Sequence, residues 1–185
     1  MFLCNFLTGH HCFHLGEYDT TLPLLIDPLL ASTFVGRTDN GSNDDATWGT
    51  PLVVDGAGNV YIAFASRNST LPTTIGAYDT TYNANSDLVI AKLDNGLQNL
   101  LAMTYLGGSG TDFAGGNYEF ANSMTIDNAG NLIVISNCNS SNFPVTAGAF
   151  QSTYAGVTSD ACVSKLDGSL QTLLASTFLG GGTYH

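Results

Sequence analysis

Apolar residues occur along this chain in short runs, separated by stretches rich in Gly, Asn and Asp. The run Val60–Ala65 is apolar on both faces, which is typical of a strand that neighbouring sheets cover on both sides. The preceding Asp-Gly-Ala-Gly-Asn at 55–59 supplies the positive φ that a tight hairpin needs. No window has the period of an amphipathic helix, so the sequence predicts strands and no long helix.

The same segments return about every 72 residues. Leu30–Gly36 (LASTFVG) recurs as Leu101–Gly107 and as Leu174–Gly180, at offsets of 101 − 30 = 71 and 174 − 101 = 73. The turn at 55–59 recurs at 127–131, at an offset of 127 − 55 = 72. A period of this length, carried by strands, is typical of β-propeller blades or a similar array.

Each full copy of the repeat predicts four strands, A to D. In the first copy these are Pro51–Asp55, Val60–Ala65, Asp87–Leu93 and Leu100–Leu106. In the second copy they are Ser123–Asp127, Leu132–Asn137, Asp160–Leu166 and Leu174–Leu179. The turns between strands C and D, Asp94-Asn95-Gly96 and Asp167-Gly168, contain turn-forming residues again.

We therefore predict an all-β chain of β-propeller blades, each of four antiparallel strands, that forms an incomplete propeller. Residues 15–35 are interpreted as part of a preceding blade, because Gly16–Thr21 matches Gly76–Thr81. The remaining assignments are an N-terminal tail of 1–14 without a predicted element, blades at 36–106 and 107–180, and the start of a next loop at 181–185.

Four motifs carry a resemblance to a known family. They are Thr-Tyr-Leu-Gly-Gly-Ser-Gly at 104–110, Ile-Asp-Asn-Ala-Gly-Asn at 126–131, Phe-Pro-Val-Thr-Ala-Gly-Ala-Phe-Gln at 143–151 and Asp-Ala-Cys-Val-Ser-Lys-Leu-Asp at 160–167. As a set, they resemble the SBBP repeat, a seven-bladed β-propeller repeat. The resemblance implies a propeller blade of a secreted or surface-exposed microbial protein, and it implies no catalytic residues.

Two blades do not close a ring, because single-chain propellers typically have 4–8 blades. An open pair would leave an apolar sheet face bare at each end. We therefore expect either a fragment of a longer array or a subunit that completes a ring by oligomerising. In both cases the expected partners are further propeller blades.

The charge of the chain excludes several classes of partner. The formal net charge is −11 and there are only four Lys and Arg residues, whereas nucleic acids and anionic membranes bind clustered cations. No apolar run is long enough to span a membrane, so we predict no membrane insertion. The small charged fraction and the abundance of Ser, Thr, Asn and Gly suit a secreted β protein.

Two groups of residues have the side chains of metal ligands. His10-His11-Cys12-x-His14, with Cys4 nearby, matches no standard zinc spacing, so we predict no zinc site. Asp39, Asp44, Asp45 and Asp112 lie in loops between strands D and A but lack the pattern of a calcium-binding EF-hand loop. Solvated turns and calcium binding both remain open there, and no other cofactor is expected.

Cys138 ends strand B and Cys162 lies early in strand C of the same blade. An antiparallel B–C pair brings the two within reach of a disulfide. The first copy has Ser66 and Val89 at the equivalent positions, so the fold does not require sulfur there. Both a structural disulfide and a pair of buried free thiols are therefore compatible with the sequence.

Other repeated residues are expected to be structural. Asp55, Asp127, Asp94 and Asp167 each stand at a turn and can accept hydrogen bonds from the backbone two residues on. Lys92 and Lys165 are expected to reach solvent or to pair with a carboxylate. The pairs Tyr78/Phe150 and Tyr82/Tyr154 are interpreted as core residues that anchor the loops.

The candidate binding site lies on the long loops. In an up-and-down blade, the B–C and D–A loops share one face, and long loops on a rigid scaffold commonly carry binding residues. Trp48, the only tryptophan, is either a stacking platform for a sugar or a plug between blades. The candidate ligand-binding residues on this face are Arg37, Asp45, Trp48, Arg67, Asp112, Tyr118 and Glu119.

These observations predict a non-enzymatic, extracellular or cell-surface β-propeller segment that acts as an interaction or adhesion scaffold, with a protein or a glycan as its ligand. No nucleophile elbow is present, and the four histidines all lie outside the full copies of the repeat. A lectin-like propeller assembled from two-blade subunits is one alternative. A fragment of a propeller glycosidase or lyase, with its catalytic blades outside this chain, is another.

Overall fold

The structure is a computed structural model, and it describes residues 2–5, 11–14, 31–35, 50–83, 86–110, 121–156 and 159–181. The chain divides into two compact units, Met1–Leu30 and Ala31–His185. The first unit contains a hairpin in which β1 (Phe2–Asn5) pairs antiparallel with β2 (His11–His14). Cys4 stands opposite Cys12 in this ladder, in a stretch to which the sequence assigns no element.

The second unit contains two four-stranded antiparallel sheets. The first sheet has the order β3 (Leu52–Val54), β4 (Val60–Ser66), β5 (Asp87–Leu93) and β6 (Leu100–Leu106). The second has the order β7 (Ala121–Ile126), β8 (Leu132–Cys138), β9 (Asp160–Leu166) and β10 (Leu173–Leu179). Each sheet therefore follows the chain order A–B–C–D, and no helix occurs in the described ranges.

The all-β prediction, with four antiparallel strands in each repeat, is confirmed. Strands β5, β6 and β9 have the predicted bounds, and the other five differ by one or two residues at an end. Among the described residues, no helix is long and apolar enough to cross a membrane.

The turns between strands A and B form as the sequence predicts. One carboxylate oxygen of Asp55 accepts hydrogen bonds from the backbone N–H groups of Ala57 and Asn59, both at 2.9 Å. Asp127 makes the same two bonds with Ala129 and Asn131. Gly58 and Gly130 have φ of 83° and 81°, a region in which only glycine is comfortable. The repeated aspartates and glycines therefore hold the hairpins.

The main core lies between the two sheets. Tyr61, Leu88 and Ile90 of the first sheet share a buried cluster with Val134 and Phe178 of the second. The side of the second sheet that contributes to this cluster is called here its inner face, and the opposite side its outer face. A second cluster, which includes Phe64, Val89 and Tyr105, lies on the other side of the first sheet. The first sheet is thus buried on both sides, as the apolar run 60–65 predicts.

The connection between strands B and C runs along the edge of strand D. Thr74 N–H donates to the carbonyl of Met103 (3.2 Å), and Tyr105 N–H donates to the carbonyl of Asp79 (3.0 Å). In the second sheet, Thr146 and Gln151 make the equivalent bonds with Ser176 and Phe178. The connection is a long loop, as the sequence predicts, but these segments are tied to strand D, because their backbone covers an edge strand that would otherwise be unpaired.

Candidate functional site

The two sheets meet at a joint formed by the turn Asp167–Thr172, which follows strand β9. The carbonyl of Gly168 accepts hydrogen bonds from the Tyr61 hydroxyl (2.8 Å) and from the Lys92 Nζ (3.1 Å). The carbonyl of Leu170 accepts a third from Tyr78 N–H (2.9 Å). Leu170 has a positive φ of 59° and is fully buried. One short turn of the second sheet is therefore held by three donors of the first.

Lys92 is held in its charged form at this joint. Its Nζ lies 3.4 Å from the Asp55 carboxylate and 4.7 Å from the centre of the Tyr61 ring. Burial acts to lower the pKa of Lys92, but contacts with Tyr61 and Asp55 outweigh it and raise the pKa above its ordinary value. A protonated ammonium is not a nucleophile, so the geometry suits binding of carbonyl oxygens rather than covalent catalysis.

A cavity of 550 Å³ opens beside this joint. Its ionisable lining groups include Asp55 and Lys92. Burial acts to raise the pKa of Asp55, but hydrogen bonds from Asn59, from the Ala57 backbone and from Lys92 lower it overall. The pKa of Asp55 and that of Lys92 thus move away from neutrality. Because general acid–base catalysis favours a pKa near neutral pH, these shifts do not suit the two groups to that role.

Asp87 is the described carboxyl group whose pKa moves furthest toward neutrality. Burial and, to a smaller extent, the nearby Asp79 carboxylate raise the pKa of Asp87 to about 7, although the hydrogen bond from Asn83 N–H acts to lower it. One Asp87 oxygen accepts that bond at 2.7 Å, and the other is buried and has no hydrogen-bond partner among the described residues. A perturbed, buried carboxyl group can mark a functional site, so the equivalent residue of the second repeat is informative.

Asp160 occupies the equivalent place in the second sheet (160 − 87 = 73) and is equally buried. It accepts a hydrogen bond from Ala155 N–H at 2.8 Å, and its other oxygen likewise has no partner in the part of the chain that the structure describes. In both repeats this carboxyl group fastens the end of the B–C connection to the first residue of strand C. The repetition favours a structural role for Asp87, and no group of three or more metal-ligating side chains was found in the described part of the chain.

Most of the sequence-predicted ligand residues lie outside the described residues: Arg37, Asp45, Trp48, Asp112, Tyr118 and Glu119, with Asp39 and Asp44 of the calcium candidate. Arg67 is described and half-buried, and its charge acts on the Tyr82 hydroxyl, whose pKa burial and Asp87 raise. The structure therefore places Arg67 near the Tyr82 hydroxyl.

Cys138 and Cys162 are joined by a disulfide, with Cα atoms 5.9 Å apart. The two residues are not directly opposite, because Cys162 pairs with Ser136 and Cys138 pairs with Asp160 in the ladder. They face each other diagonally on the inner face of the second sheet, where both are fully buried. The structure thus takes the disulfide rather than the free-thiol alternative.

Lys165 pairs with a carboxylate, as one of the two sequence alternatives states. Its Nζ lies 2.6 Å from the Asp127 carboxylate, and this ion pair is the main reason that the pKa of Asp127 lies well below its usual range. The pair is equivalent to Lys92–Asp55 in the first repeat. It differs in that Lys92 also binds the Gly168 carbonyl of the neighbouring sheet.

Phe150 corrects one sequence interpretation. Tyr78, Tyr82 and Tyr154 pack against the core clusters, as expected of anchoring residues. Phe150 is 85% exposed, although it is equivalent to Tyr78 (150 − 72 = 78). The reason is that Tyr78 lies at the joint with the next sheet, whereas no described residue covers Phe150.

The outer face of the second sheet repeats this difference. Ala63, Ile90 and Leu106 of the first sheet are fully buried against the second. Their equivalents, Ile135, Val163 and Leu179, lie on the outer face of the second sheet. Ile135 is 40% exposed, Leu179 is 53% exposed, and Val163 is partly exposed. The sequence analysis expects an apolar sheet face to be bare at each end of an open pair of blades. It does not name these residues, although the repeat offset pairs each of them with its counterpart in the first sheet.

The chain matches no protein-family model and no curated protein.

Proposed function

We propose that this chain is a segment of a β-propeller, built from repeats that resemble the SBBP repeat, and that it acts as a non-enzymatic interaction or adhesion scaffold. In this function every blade binds the following blade through the same face, which in the first sheet is the face buried against the second sheet. The outer face of the second sheet is then the binding surface for a further blade.

One observation carries this proposal: a face that is buried in the first sheet has an apolar, exposed equivalent in the second. Leu106 is fully buried, and its counterpart Leu179 is 53% exposed. Exposed contiguous apolar surface on a folded protein commonly marks an interaction site. Lys165 keeps the place of Lys92, so the polar donor of the joint is retained as well.

The location we propose is extracellular or at the cell surface. The fully buried Cys138–Cys162 disulfide supports it, because structural disulfides persist in oxidising compartments and are rare in the reducing cytosol. The chemistry of the joint supports a scaffold over an enzyme, because Lys92 and Asp55 hold their charges there as fixed binding groups.

The proposal is tested with a chain in which residues 109–181 are repeated once more after Gly181. Leu179→Cys serves as the reporter, and its labelling by a maleimide is followed by peptide mass spectrometry at low micromolar concentration. In the original chain this thiol lies on an exposed face and reacts rapidly. In the extended chain we expect labelling at least about tenfold slower, because reaction then requires local opening.

The matched control is the extended chain in which the appended copy of Leu170 is replaced by Asp. This change removes the apolar anchor of the joint and should restore rapid labelling of the Leu179→Cys thiol. Equal labelling of the original and extended chains, with the appended repeat folded by circular dichroism, would overturn the proposal.

A further inference from the structure

The outer face of the second sheet carries a cradle equivalent to the one that holds the turn 167–172 on the first sheet. The cradle is a cavity of 440 Å³. Its lining includes Ile133, Ala147, Phe150, Lys165, Leu174 and Ala175. The repeat offsets of 72 and 73 align these with Tyr61, Ile75, Tyr78, Lys92, Leu101 and Ala102. Five of these line the cavity beside the occupied joint, and Tyr78 binds the Leu170 carbonyl of the joint through its backbone N–H.

The occupied joint shows what such a cradle binds. Its ligand is a turn with a leucine at positive φ, which presents its backbone carbonyls to donors of the cradle. Gly168 contributes one carbonyl to Tyr61 and Lys92, and Leu170 contributes the second to the backbone of Tyr78. The Leu170 side chain is fully buried in the core between the sheets.

The cradle on the second sheet retains two of these three donors. Lys165 replaces Lys92, and the N–H of Phe150 replaces that of Tyr78, whereas Ile133 lacks the hydroxyl of Tyr61. The Phe150 N–H has no hydrogen-bond partner among the described residues. The Phe150 ring, at 85% exposure, stands beside this donor as an uncovered apolar surface. The cradle is therefore suited to an apolar turn that offers two carbonyls.

The chain contains a second turn of this form at Asp94–Asn99. Leu97 has φ of 54°, close to the 59° of Leu170, and it stands at the equivalent position (170 − 73 = 97). Asp94 braces the turn by accepting from Gln98 N–H at 2.7 Å, as Asp167 does from Gln171 N–H at 2.8 Å. The flanking Asn95 and Gln98 are exposed, and Leu97 is only partly buried. Leu97 thus has the shape of Leu170 without its cover.

We propose that a second copy of this chain docks its turn 94–99 into the cradle on the outer face of the second sheet. Leu97 of one copy packs against Ile133 and Phe150 of the other. The carbonyl of Asn95 binds the Lys165 ammonium, and the carbonyl of Leu97 binds the Phe150 N–H. Because the two surfaces lie on different parts of the chain, the association is head to tail. This inference rests on the proposed function and names the partner of its binding surface.

The test is sedimentation velocity of the full chain and two variants over a range from 1 to 200 µM, as an order-of-magnitude span around micromolar affinity. Phe150→Asp places a charge in the cradle at an exposed position. Leu97→Asn removes the apolar anchor and keeps a residue that tolerates positive φ. Urea unfolding midpoints close to that of the wild type establish that each variant is folded, and Ala147→Asp, which also places a charge in the cradle, is a second cradle variant.

We expect the wild type to form oligomers that grow with concentration, and each variant alone to associate at least about tenfold more weakly. An equimolar mixture of Phe150→Asp and Leu97→Asn should form a dimer and stop there, because one intact cradle meets one intact turn. A wild type that stays monomeric overturns the inference. A variant that associates like the wild type also overturns it, because its mutated surface would then take no part in the contact. Slow labelling of Leu179→Cys in the extended chain would then still support the proposed function.

Discussion

The hydroxyl of Tyr61 donates a 2.8 Å hydrogen bond to the carbonyl of Gly168, 107 residues further along the chain. This bond joins strand β4 of the first sheet to the turn after strand β9 of the second. It is one of three bonds at the joint, and the Gly168 carbonyl retains Lys92 as a second donor. The joint is therefore polar at its rim and apolar where Leu170 is buried.

Replacing Tyr61 by Phe tests the contribution of this hydroxyl. The ring stays buried and the Gly168 carbonyl keeps one partner, so we expect the free energy of unfolding to fall by about 0.5–1.5 kcal/mol in urea unfolding. Tyr82→Phe is the matched control, because no described residue forms a hydrogen bond with the Tyr82 hydroxyl, and it should change stability less. Equal effects of the two substitutions would contradict the assignment.

Variants of the two equivalent lysines distinguish the contribution of the joint to stability from that of a surface ion pair. Lys92→Met removes the bond to Gly168 as well as the pair with Asp55, and the side chain is only 17% exposed. We expect it to lower the free energy of unfolding by about 2 kcal/mol, as for hydrogen bonds from charged groups.

Lys165→Met is the control for Lys92→Met. It removes only the pair with Asp127, and the Lys165 side chain is 36% exposed, so we expect a loss below about 1 kcal/mol. The measurement is the urea midpoint of both variants at one ionic strength. A Lys165→Met variant that loses as much as Lys92→Met would show that the contact with the neighbouring sheet adds nothing.

The fold follows from the sequence where local residues decide it. Strand β5 begins at Asp87 and ends at Leu93 as predicted, because a turn residue flanks each apolar run. The exposure of Phe150 was not predictable in this way, because the burial of an aromatic residue depends on which sheet lies next to it. The same holds for Leu170, whose burial comes from the joint and not from its own turn.

The candidate site was predicted less well than the fold, for a related reason. Long loops were expected to carry the binding residues, and six of the seven chosen residues lie outside the described part of the chain. The residue types on the exposed apolar face of the second sheet do not differ from those of a buried sheet face. Only a comparison of Ile135 and Leu179 with Ala63 and Leu106, their buried equivalents, distinguishes it.

The Cys138–Cys162 disulfide is expected to stabilise the second repeat. It spans 24 residues of sequence, and a chain-entropy model for a loop of this length gives about 3.5 kcal/mol. Reduction should therefore shift the urea midpoint of the wild type to lower concentration.

Cys138→Ser combined with Cys162→Val is the matched control, because it copies Ser66 and Val89 of the first repeat. We expect this double variant to unfold at the midpoint of the reduced wild type, in the presence or absence of reductant. The control retains the other cysteines, so any shift of its midpoint on addition of reductant is assigned to them. An unshifted wild-type midpoint after complete reduction, verified by mass, would contradict the prediction.

Asp87 gives the chain a specific dependence on pH. Its folded pKa is about 7, and the ordinary value is 3.8, because burial disfavours the charged carboxylate. Between about pH 4 and pH 7 the folded state therefore binds a proton that the unfolded state has released. The free energy of unfolding should fall as the pH rises through this window, by at most about 4 kcal/mol, and level off above it.

Asp87→Asn removes this titration and retains an oxygen that can accept from Asn83 N–H. Urea unfolding of both proteins at intervals from pH 4.5 to 8 should give a difference in stability that grows in favour of the variant as the pH rises. Histidines and other groups that titrate in the window act on both proteins and cancel in this difference. Three other carboxyl groups have lowered pKa values and act in the opposite direction: Asp55, Asp94 and Asp167. Their effect lies mainly below this window, because their stabilisation is lost only as the pH falls through their folded pKa. A difference that stays constant with pH would show that Asp87 is ionised in the folded protein throughout, and the buried, half-satisfied carboxylate would then need a cation that neutralises it.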